Sequence, residues 1–221
     1  MRKLEMTRTL LLLFLLPLGL MAQSDEKSKS ILKAVSETHK AYKDISVEFD
    51  YTLENKDAGI NDTRSGKLAL NGDKFYLQLM GQDIYSDGKI VWYVMKEDLE
   101  VHIKSIAEFK EETELDPANF FNQYDNGYKS KFQAEELKDG KTLNVVDLFP
   151  EDPGKKPYSR IRMAINKSNN HVSYSKTFGK DGTNYLLEVK SMKTDAGLPV
   201  EDFVFNQAQF EADDYDVVDF R

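Results

Sequence analysis

The sequence predicts a mainly β (α+β) fold in which one large antiparallel sheet is strongly curved. About eleven short segments alternate apolar and polar residues with a period of two, which is typical of strands with one buried face. Several of these segments are joined by Asn-Gly or Asp-Gly pairs, which favour tight hairpin turns. Two helical segments, one before the strands and one among them, carry apolar faces that must lie on the sheet.

The chain begins with a predicted secretory signal peptide. Basic residues precede a short apolar run over residues 10–20, and the small residue Ala22 stands before Gln23, where cleavage is expected. The apolar run is shorter than the ~20 residues that a membrane-spanning helix needs. We therefore expect residues 1–22 to be removed on export and residues 23–221 to form a single domain in the periplasm.

The composition excludes several classes of protein. The chain contains no cysteine, so it offers no disulfide, no thiol nucleophile, no cysteine zinc site and no cysteine for a lipid anchor. Its net charge of −8 becomes about −10 once the signal peptide, which carries a positive net charge, is removed. An acidic protein binds the phosphate backbone of nucleic acids poorly, so no nucleic-acid partner is expected. We expect an exported, soluble monomer.

The predicted elements follow each other in a simple order. Ile31, Leu32 and Val35 recur at helical spacing and predict a first helix over residues 24–42. From Ile45 onward the apolar period changes to two. Strands are then predicted over residues 45–53, 66–70, 75–79, 84–85, 90–95, 99–103, 141–148, 158–165, 171–178 and 185–189, near Tyr128 and at Phe203 to Phe205, with an end segment over 217–221.

The middle of the chain carries a marked hairpin and a helical interruption. Asp87-Gly88 favours a tight type I′ turn, in which both central residues have positive φ. The strand after it holds the only tryptophan, Trp92, and is apolar on both sides. Residues 106–124 then break the alternation, and Asp116-Pro117 is typical of a helix start. We expect these short aromatic helices to cover the concave face of the sheet.

The order of these elements resembles that of the LolA family, the periplasmic carriers of outer-membrane lipoproteins. The resemblance covers almost the whole chain after residue 22, and its specificity lies in the order and spacing of many short segments. The chain is similar to Bacteroidetes-like members of this family. The matching segments are Ser46–Phe49, Gly66–Leu68, Lys74–Leu77, Ser86–Lys89, Trp92-Tyr93, Leu148–Pro150, Tyr158, Ile161, Phe203–Phe205 and Val218–Arg221.

The resemblance implies both a fold and a function. The fold is an incomplete antiparallel β-barrel of about eleven strands with a helical lid over an apolar cavity. The function is to carry the acyl chains of lipoproteins from an inner-membrane ABC-type release complex to an outer-membrane receptor. Because that receptor is itself a lipoprotein, a chain without cysteine is expected to be the carrier.

One departure from the family concerns the lid. Proteobacterial carriers hold the lid shut with the Arg of an Arg-Pro pair at the hairpin after the second strand. This chain has Asn71-Gly72-Asp73 at that hairpin. The latch of the family therefore cannot be transferred to this protein.

The candidate cavity residues are alternating apolar residues of the first strands, and the candidate lid residues come from the two helical segments. The same pattern is typical of an ordinary packed core, so the sequence leaves both interpretations open. The cavity candidates are Val47, Phe49, Tyr51, Leu68, Leu70, Phe75, Leu77, Leu79, Ile84 and Trp92. The lid candidates are Ile31, Val35, Phe120, Phe121 and Tyr124.

The sequence offers no catalytic motif. It contains neither Gly-x-Ser-x-Gly nor a glycine-rich phosphate loop. His39, His102 and His171 lack metal-ligand spacing, and we expect them to be solvated or to cap turns. The acidic residues 213–216 lack the pattern of a calcium loop. We therefore expect a binding protein without enzymatic activity, metal or cofactor.

Two other functions stay open at the level of the sequence. The same half-barrel fold also serves periplasmic sensors that bind an anti-sigma partner, so a lipid- or lipoprotein-sensing regulatory protein is the main alternative. An enzyme of unknown type is the third, although no residue in the sequence identifies its chemistry.

Overall fold

Twelve strands form one continuous sheet in the computed structural model, which describes residues 18–113, 116–121, 124 and 127–221. The strands are β1 (Ile45–Asn55), β2 (Ile60–Asn71), β3 (Lys74–Leu79), β4 (Gln82–Ser86), β5 (Ile90–Met95), β6 (Glu100–Ser105), β7 (Tyr128–Lys138), β8 (Lys141–Pro150), β9 (Tyr158–Asn166), β10 (Val172–Gly179), β11 (Asn184–Thr194) and β12 (Asp216–Asp219).

The strand order explains why the sheet stays open. It is β12-β6-β5-β4-β3-β2-β1-β11-β10-β9-β8-β7. Strands β1 to β6 form one antiparallel meander and β7 to β11 a second, and the pairing of β1 with β11 joins the two. Consequently β6 and β7 lie near opposite edges although they follow each other in the chain. The segment between them must cross the sheet, as the incomplete barrel with a helical lid requires, and the predicted fold class is confirmed.

The first helix, α1, spans Leu18–Lys40, so it begins before the predicted start at Ser24. Residues 1–17 lie outside the described residues, and the signal peptide and its boundary stay predictions. One side of α1 packs against edge strand β7, where the Ser28 and Ser130 hydroxyl oxygens lie 2.8 Å apart in the interior. The buried side chains recur at helical spacing: Ser28, Leu32, Val35, Ser36 and His39.

The C-terminal part of the chain differs from the prediction. Phe203 and Phe205 were expected to lie in a strand, but residues 200–203 form a 3₁₀ turn that follows Pro199. Phe203 and Phe205 belong instead to a C-terminal arm, residues 198–210, on the convex face. Their exposed fractions are 0% and 7%. A short helix, α3 (Gln207–Ala212), follows, and β12 then adds to the edge as a strand parallel to β6.

The hairpin turns follow the sequence pattern only in part. Asp139-Gly140 has φ values of 50° and 74°, as a type I′ turn requires. At Asp87-Gly88 only the glycine has a positive φ, at 94°, so the expected type I′ turn is wrong there. Instead the Asp87 carboxylate accepts hydrogen bonds from the Lys89 and Ile90 amides at 2.8 and 2.9 Å. The three-residue loop between β4 and β5 is stabilised by this side chain.

The sheet is covered on both faces near β4 to β6. The concave face carries the main core, which takes in side chains from both meanders and from α1. The convex face carries a smaller cluster in which Val94 and Val101 pack against Phe205. None of the helices in the described parts of the chain combines the length and apolarity that a membrane span needs.

Candidate functional site

The concave face is built from apolar rows that run across neighbouring strands. Val47 pairs with Leu68, Leu68 with Leu77 and Leu77 with Ile84, so one row crosses β1 to β4. Leu70 and Phe75 form the adjacent row. Exposed fractions in these rows run from 0% to 8%. Alternation along each strand places all these side chains on one face, as the sequence predicts.

Phe49 continues this face over a glycine. It pairs with Gly66 on β2, and its ring lies where the Gly66 side chain would be. A Cβ on Gly66 would lie 2.5 Å from Phe49 Cζ and 2.9 Å from the Gln78 carbonyl oxygen. Gly66 therefore allows the ring to lie flat against the sheet, which the sequence pattern did not indicate.

Tyr51 and Leu79 are half-buried at the margin of the concave core. The Tyr51 ring stacks with that of Tyr185 on β11, with centroids 6.1 Å apart. Burial raises the pKa of Tyr51 to about 12, so its hydroxyl stays protonated at neutral pH. This margin presents two aromatic rings next to the apolar rows.

Trp92 does not belong to this face, and its place among the cavity candidates is corrected. It lies on the convex side, where its ring stacks on Phe205 with centroids 5.9 Å apart. On β5 the concave positions are held by Val91 and Tyr93 instead. Because both faces of β5 are covered, apolar residues occur at successive positions, and their pattern does not indicate which of them lie on the concave side.

The described residues between β6 and β7 form the cover of the concave face, here defined as residues 106–113, 116–121 and 124. It contains helix α2 (Ile106–Thr113) and a 3₁₀ turn, Pro117–Asn119, which contacts β2 and β3. Phe109 is 2% exposed and lies 6.2 Å from Phe75 between ring centroids. Phe121 and Tyr124 are also buried in the main core, and Phe120 packs at its margin. The predicted lid residues of this segment therefore belong to the same apolar cluster as the cavity candidates of β1 to β4.

The start of α2 is set by a reciprocal capping arrangement. The Ser105 amide donates to the Glu108 carboxylate at 3.1 Å, and the Glu108 amide donates to the Ser105 hydroxyl at 3.2 Å. The Ser105 hydroxyl also donates to the Glu108 carboxylate at 2.7 Å, and this hydrogen bond, together with that from the Ser105 amide, lowers the pKa of Glu108. Farther along the cover, Lys110 pairs with Asp116 at 2.9 Å. The cover thus has its own internal polar contacts.

Helix α1 supplies the rest of the covering surface. Val35 is 1% exposed and Ile31 packs at the margin of the same core. His39 stacks face to face on Phe121, with ring centroids 4.0 Å apart and planes inclined by 14°. This histidine is 4% exposed, so the expectation that it is solvated is wrong. His171 lies beside it, with its Nε2 2.9 Å from the Tyr42 hydroxyl.

Side chains of the cover and of α1 fill most of the concave face. A cavity of about 140 Å³ lies under α2, between Tyr93, His102 and Phe109. This volume is below the ~300–1,000 Å³ typical of small-molecule sites. A groove of about 540 Å³ lies on the convex side, between Tyr76 and the C-terminal arm. The described residues include no group of three His, Cys, Asp or Glu side chains that could hold a metal ion.

Comparisons with known proteins identify the fold. No family model matches the sequence, and no curated protein matches it. Among solved structures, an uncharacterized conserved protein from Thermus thermophilus is 10% identical with a TM-score of 0.56, over 87% of this chain and 99% of that chain. The lipoprotein LppX of Mycobacterium tuberculosis is 16% identical with a TM-score of 0.51, over 80% of this chain and 100% of that chain.

A LolA superfamily protein from Nitrosomonas europaea also matches, at 15% identity over 80% of this chain and 97% of that chain. Its TM-score of 0.43 reflects a looser superposition than that with LppX. Since the identities are low, the likenesses to the Thermus thermophilus protein and to LppX concern the architecture alone.

Proposed function

We propose that this protein is an exported carrier that binds the acyl chains of lipoproteins on the concave face of its sheet. One observation carries the proposal: a continuous apolar face, from Val47 to Ile84, lies under a cover whose helix α2 contacts β5 and β6 and whose 3₁₀ turn contacts β2 and β3. An acyl chain gains ~0.8 kcal/mol for each CH₂ group that leaves water. The face is apolar enough to take up such chains once the cover moves.

The attachment of the cover supports this exchange. The described backbone hydrogen bonds that join this region to the rest of the chain lie at the start of the cover and just beyond its end. Ile106 N–H donates to the Lys89 carbonyl in the β4–β5 turn at 2.8 Å, and Gly127, which follows the cover, accepts from Glu151 N–H at 2.9 Å. Between these ends, apolar side chains make the contacts with the sheet. Such contacts are replaced by an acyl chain at little cost, because both are apolar.

The direction of transport rests on the sequence resemblance. We propose that the carrier receives lipoproteins from an inner-membrane ABC-type release complex in the periplasm and delivers them to an outer-membrane receptor. The absence of cysteine favours the carrier over the lipid-anchored receptor. The chemistry is physical transfer, and the proposal includes no catalytic step.

The first test identifies the natural ligand. The protein is purified from its native periplasm, and the bound molecules are analysed by mass spectrometry. We expect peptides or proteins with acyl modification at the N-terminus. Recovery of a membrane-anchored regulator without acyl-modified proteins contradicts the carrier and favours the sensor of the same half-barrel fold.

The second test follows lipoprotein sorting in cells. Depletion of the protein is expected to leave outer-membrane lipoproteins in the inner membrane, and the wild-type chain restores their sorting. A Leu77→Glu chain should not restore it, because the charge lies in the middle of the apolar rows. Val204→Glu on the exposed arm is the matched control, since Val204 is 48% exposed. Normal sorting in depleted cells overturns the proposal.

A further inference from the structure

The contact between α1 and the cover centres on His39. Its ring lies parallel to the Phe121 ring at 4.0 Å, so the two elements meet through one stacked pair. Tyr42 meets the same imidazole edge-on at 6.2 Å. His39 is 4% exposed and Phe121 is 3% exposed, so the stack excludes water.

The hydrogen bonding of His39 defines its protonation state. Nδ1 lies 2.7 Å from the Val35 carbonyl oxygen. A carbonyl oxygen only accepts, so Nδ1 carries the proton and donates it. Nε2 is buried and has no hydrogen-bond partner among the described residues. The ring is therefore neutral, with an unpartnered lone pair inside the core.

The surroundings of His39 do not favour a positive charge. From the β9–β10 turn His171 approaches to 5.5 Å between ring centroids, and its charge would oppose that of His39. From the cover the contact is the Phe121 ring, and from the end of α1 it is Tyr42. Among the described residues, His171 is the titratable group whose charge acts on His39. Protonation at Nε2 would thus leave a buried charge without an acceptor.

We propose that the His39–Phe121 stack is a proton-sensitive latch, which holds the cover closed while His39 is neutral and releases it when Nε2 is protonated. Its link to cargo release rests on the proposed function, whereas the opening of the cover can be measured without any cargo.

The sign of the pH effect follows from linkage. Burial lowers the pKa of His39 from 6.5 to about 4 in the closed state, and exposure after opening restores the ordinary value. The neutral ring therefore favours the closed state at pH values above the ordinary pKa of histidine. This preference is lost as the pH falls from that value toward the lowered pKa of the closed state. Relative to its value at pH 7.5, the ratio of open to closed molecules should rise roughly tenfold at pH 5.5 and up to roughly 300-fold below pH 4.

Other titratable groups form pairs beside the small cavity under α2. His102 and Glu100 of β6 pair at 3.0 Å, and Lys104 of β6 pairs with Glu112 of α2. Any response that comes from these groups persists when His39 is replaced. This makes a variant of His39 the decisive one.

The test measures the distance between the cover and the sheet. Because the chain has no cysteine, Glu111→Cys on α2 and Lys193→Cys on β11 give two unique sites for nitroxide labels, both exposed. Pulsed electron paramagnetic resonance gives the distance distribution at pH 7.5, 5.5 and 4.5, without cargo. We expect a longer-distance population that grows as the pH falls.

Two variants separate the latch from other effects. His39→Phe keeps an aromatic ring against Phe121 but cannot titrate, so its distance distribution should stay closed at every pH. His171→Gln is the matched control and should keep the response. An unchanged wild-type distribution, or an equal response in His39→Phe, overturns the latch. Near-ultraviolet circular dichroism at each pH checks that the sheet stays folded.

Discussion

At the scale of single residues, Gly66 limits how the concave face can be built. A Gly66→Ala change places a Cβ 2.5 Å from Phe49 Cζ and 2.9 Å from a backbone oxygen of β3. The ring and the backbone must move apart, so we expect a loss of about 1–3 kcal/mol in the free energy of unfolding. Urea denaturation with fluorescence detection measures it.

The matched control for this change is Gly154→Ala. Gly154 has no positive φ, and the nearest atom to its added Cβ would be Asp152 Oδ1 at 3.5 Å. We expect a change within about 0.5 kcal/mol there. Adding Phe49→Leu to Gly66→Ala should restore part of the lost stability relative to the sum of the single changes. Strict additivity would show that the ring contact is not the cause.

Asp147 is the second residue with a large predicted effect. Its carboxylate, on the convex face of β8, is 1% exposed and accepts hydrogen bonds from Arg162 at 2.7 and 2.8 Å and from Arg160 at 3.0 Å. Asp147→Asn removes the charge and leaves both guanidinium groups facing a neutral amide. We expect a loss of about 2–3 kcal/mol in the free energy of unfolding, because two charges lose their partner. The loss is limited because both arginine side chains are about one-third exposed to water.

The control for Asp147 is an ion pair that is open to water. Lys33 and Glu37 face each other on α1 with exposed side-chain fractions of 75% and 66%. Glu37→Gln should change the free energy of unfolding by less than about 0.5 kcal/mol. Both variants are compared by urea denaturation at neutral pH. A similar small effect at both sites would mean that the convex-face network adds little stability.

At the scale of elements, the cover should behave as a separate unit of opening. Phe109→Ala removes a ring that is 2% exposed and packs on Phe75. Because the described backbone ties of the cover lie at its ends, the loss should fall mainly on local opening. We expect hydrogen exchange of the α2 amides to rise by roughly 100-fold, with β1 to β4 unchanged.

The control for the cover is an equivalent truncation on the other face. Phe210→Ala in the convex cluster removes a ring that packs on Phe205 at 4.7 Å. It should leave the exchange of α2 amides unchanged. Exchange that rises equally in the sheet after Phe109→Ala would show that cover and sheet open together.

The sequence predicts well the strands in which apolar and polar residues alternate. In β1 to β3 the buried apolar residues stand at alternate positions next to less buried ones, so the concave rows could be predicted from the sequence. Strand β5 is apolar on both sides, since α2 covers one face and Phe205 the other. The sequence of β5 therefore does not indicate the face on which Trp92 lies, and the assignment of Trp92 to the cavity is wrong.

Contacts between distant segments are beyond local patterns. His39 and Phe121 are stacked in the structure, yet no motif near either residue indicates the partner. The same holds for the Ser28–Ser130 contact between α1 and β7. These contacts depend on how the two meanders are joined through β1 and β11. That pairing follows from the fold as a whole.

At the scale of the whole molecule, the open sheet and the cover serve one purpose. The two meanders place β6 and β7 near opposite edges, so the connection between them spans the apolar face. Without a ligand, the apolar side chains of the cover keep that face from water, which limits the exposed apolar surface. The side chains of the cover therefore occupy the place that we propose for the acyl chain.

This substitution predicts opposite effects of a ligand on the sheet and on the cover. A synthetic peptide with a diacylated N-terminal cysteine should raise the free energy of unfolding by about 2.7 kcal/mol at a hundred times its dissociation constant. Its acyl chains displace the cover, so amides of α2 should exchange faster while those of β1 to β4 exchange more slowly. Hydrogen exchange with mass spectrometry measures both regions in one sample. The same peptide without acyl chains is the control, and slower exchange in both regions would show that the ligand binds without displacing the cover.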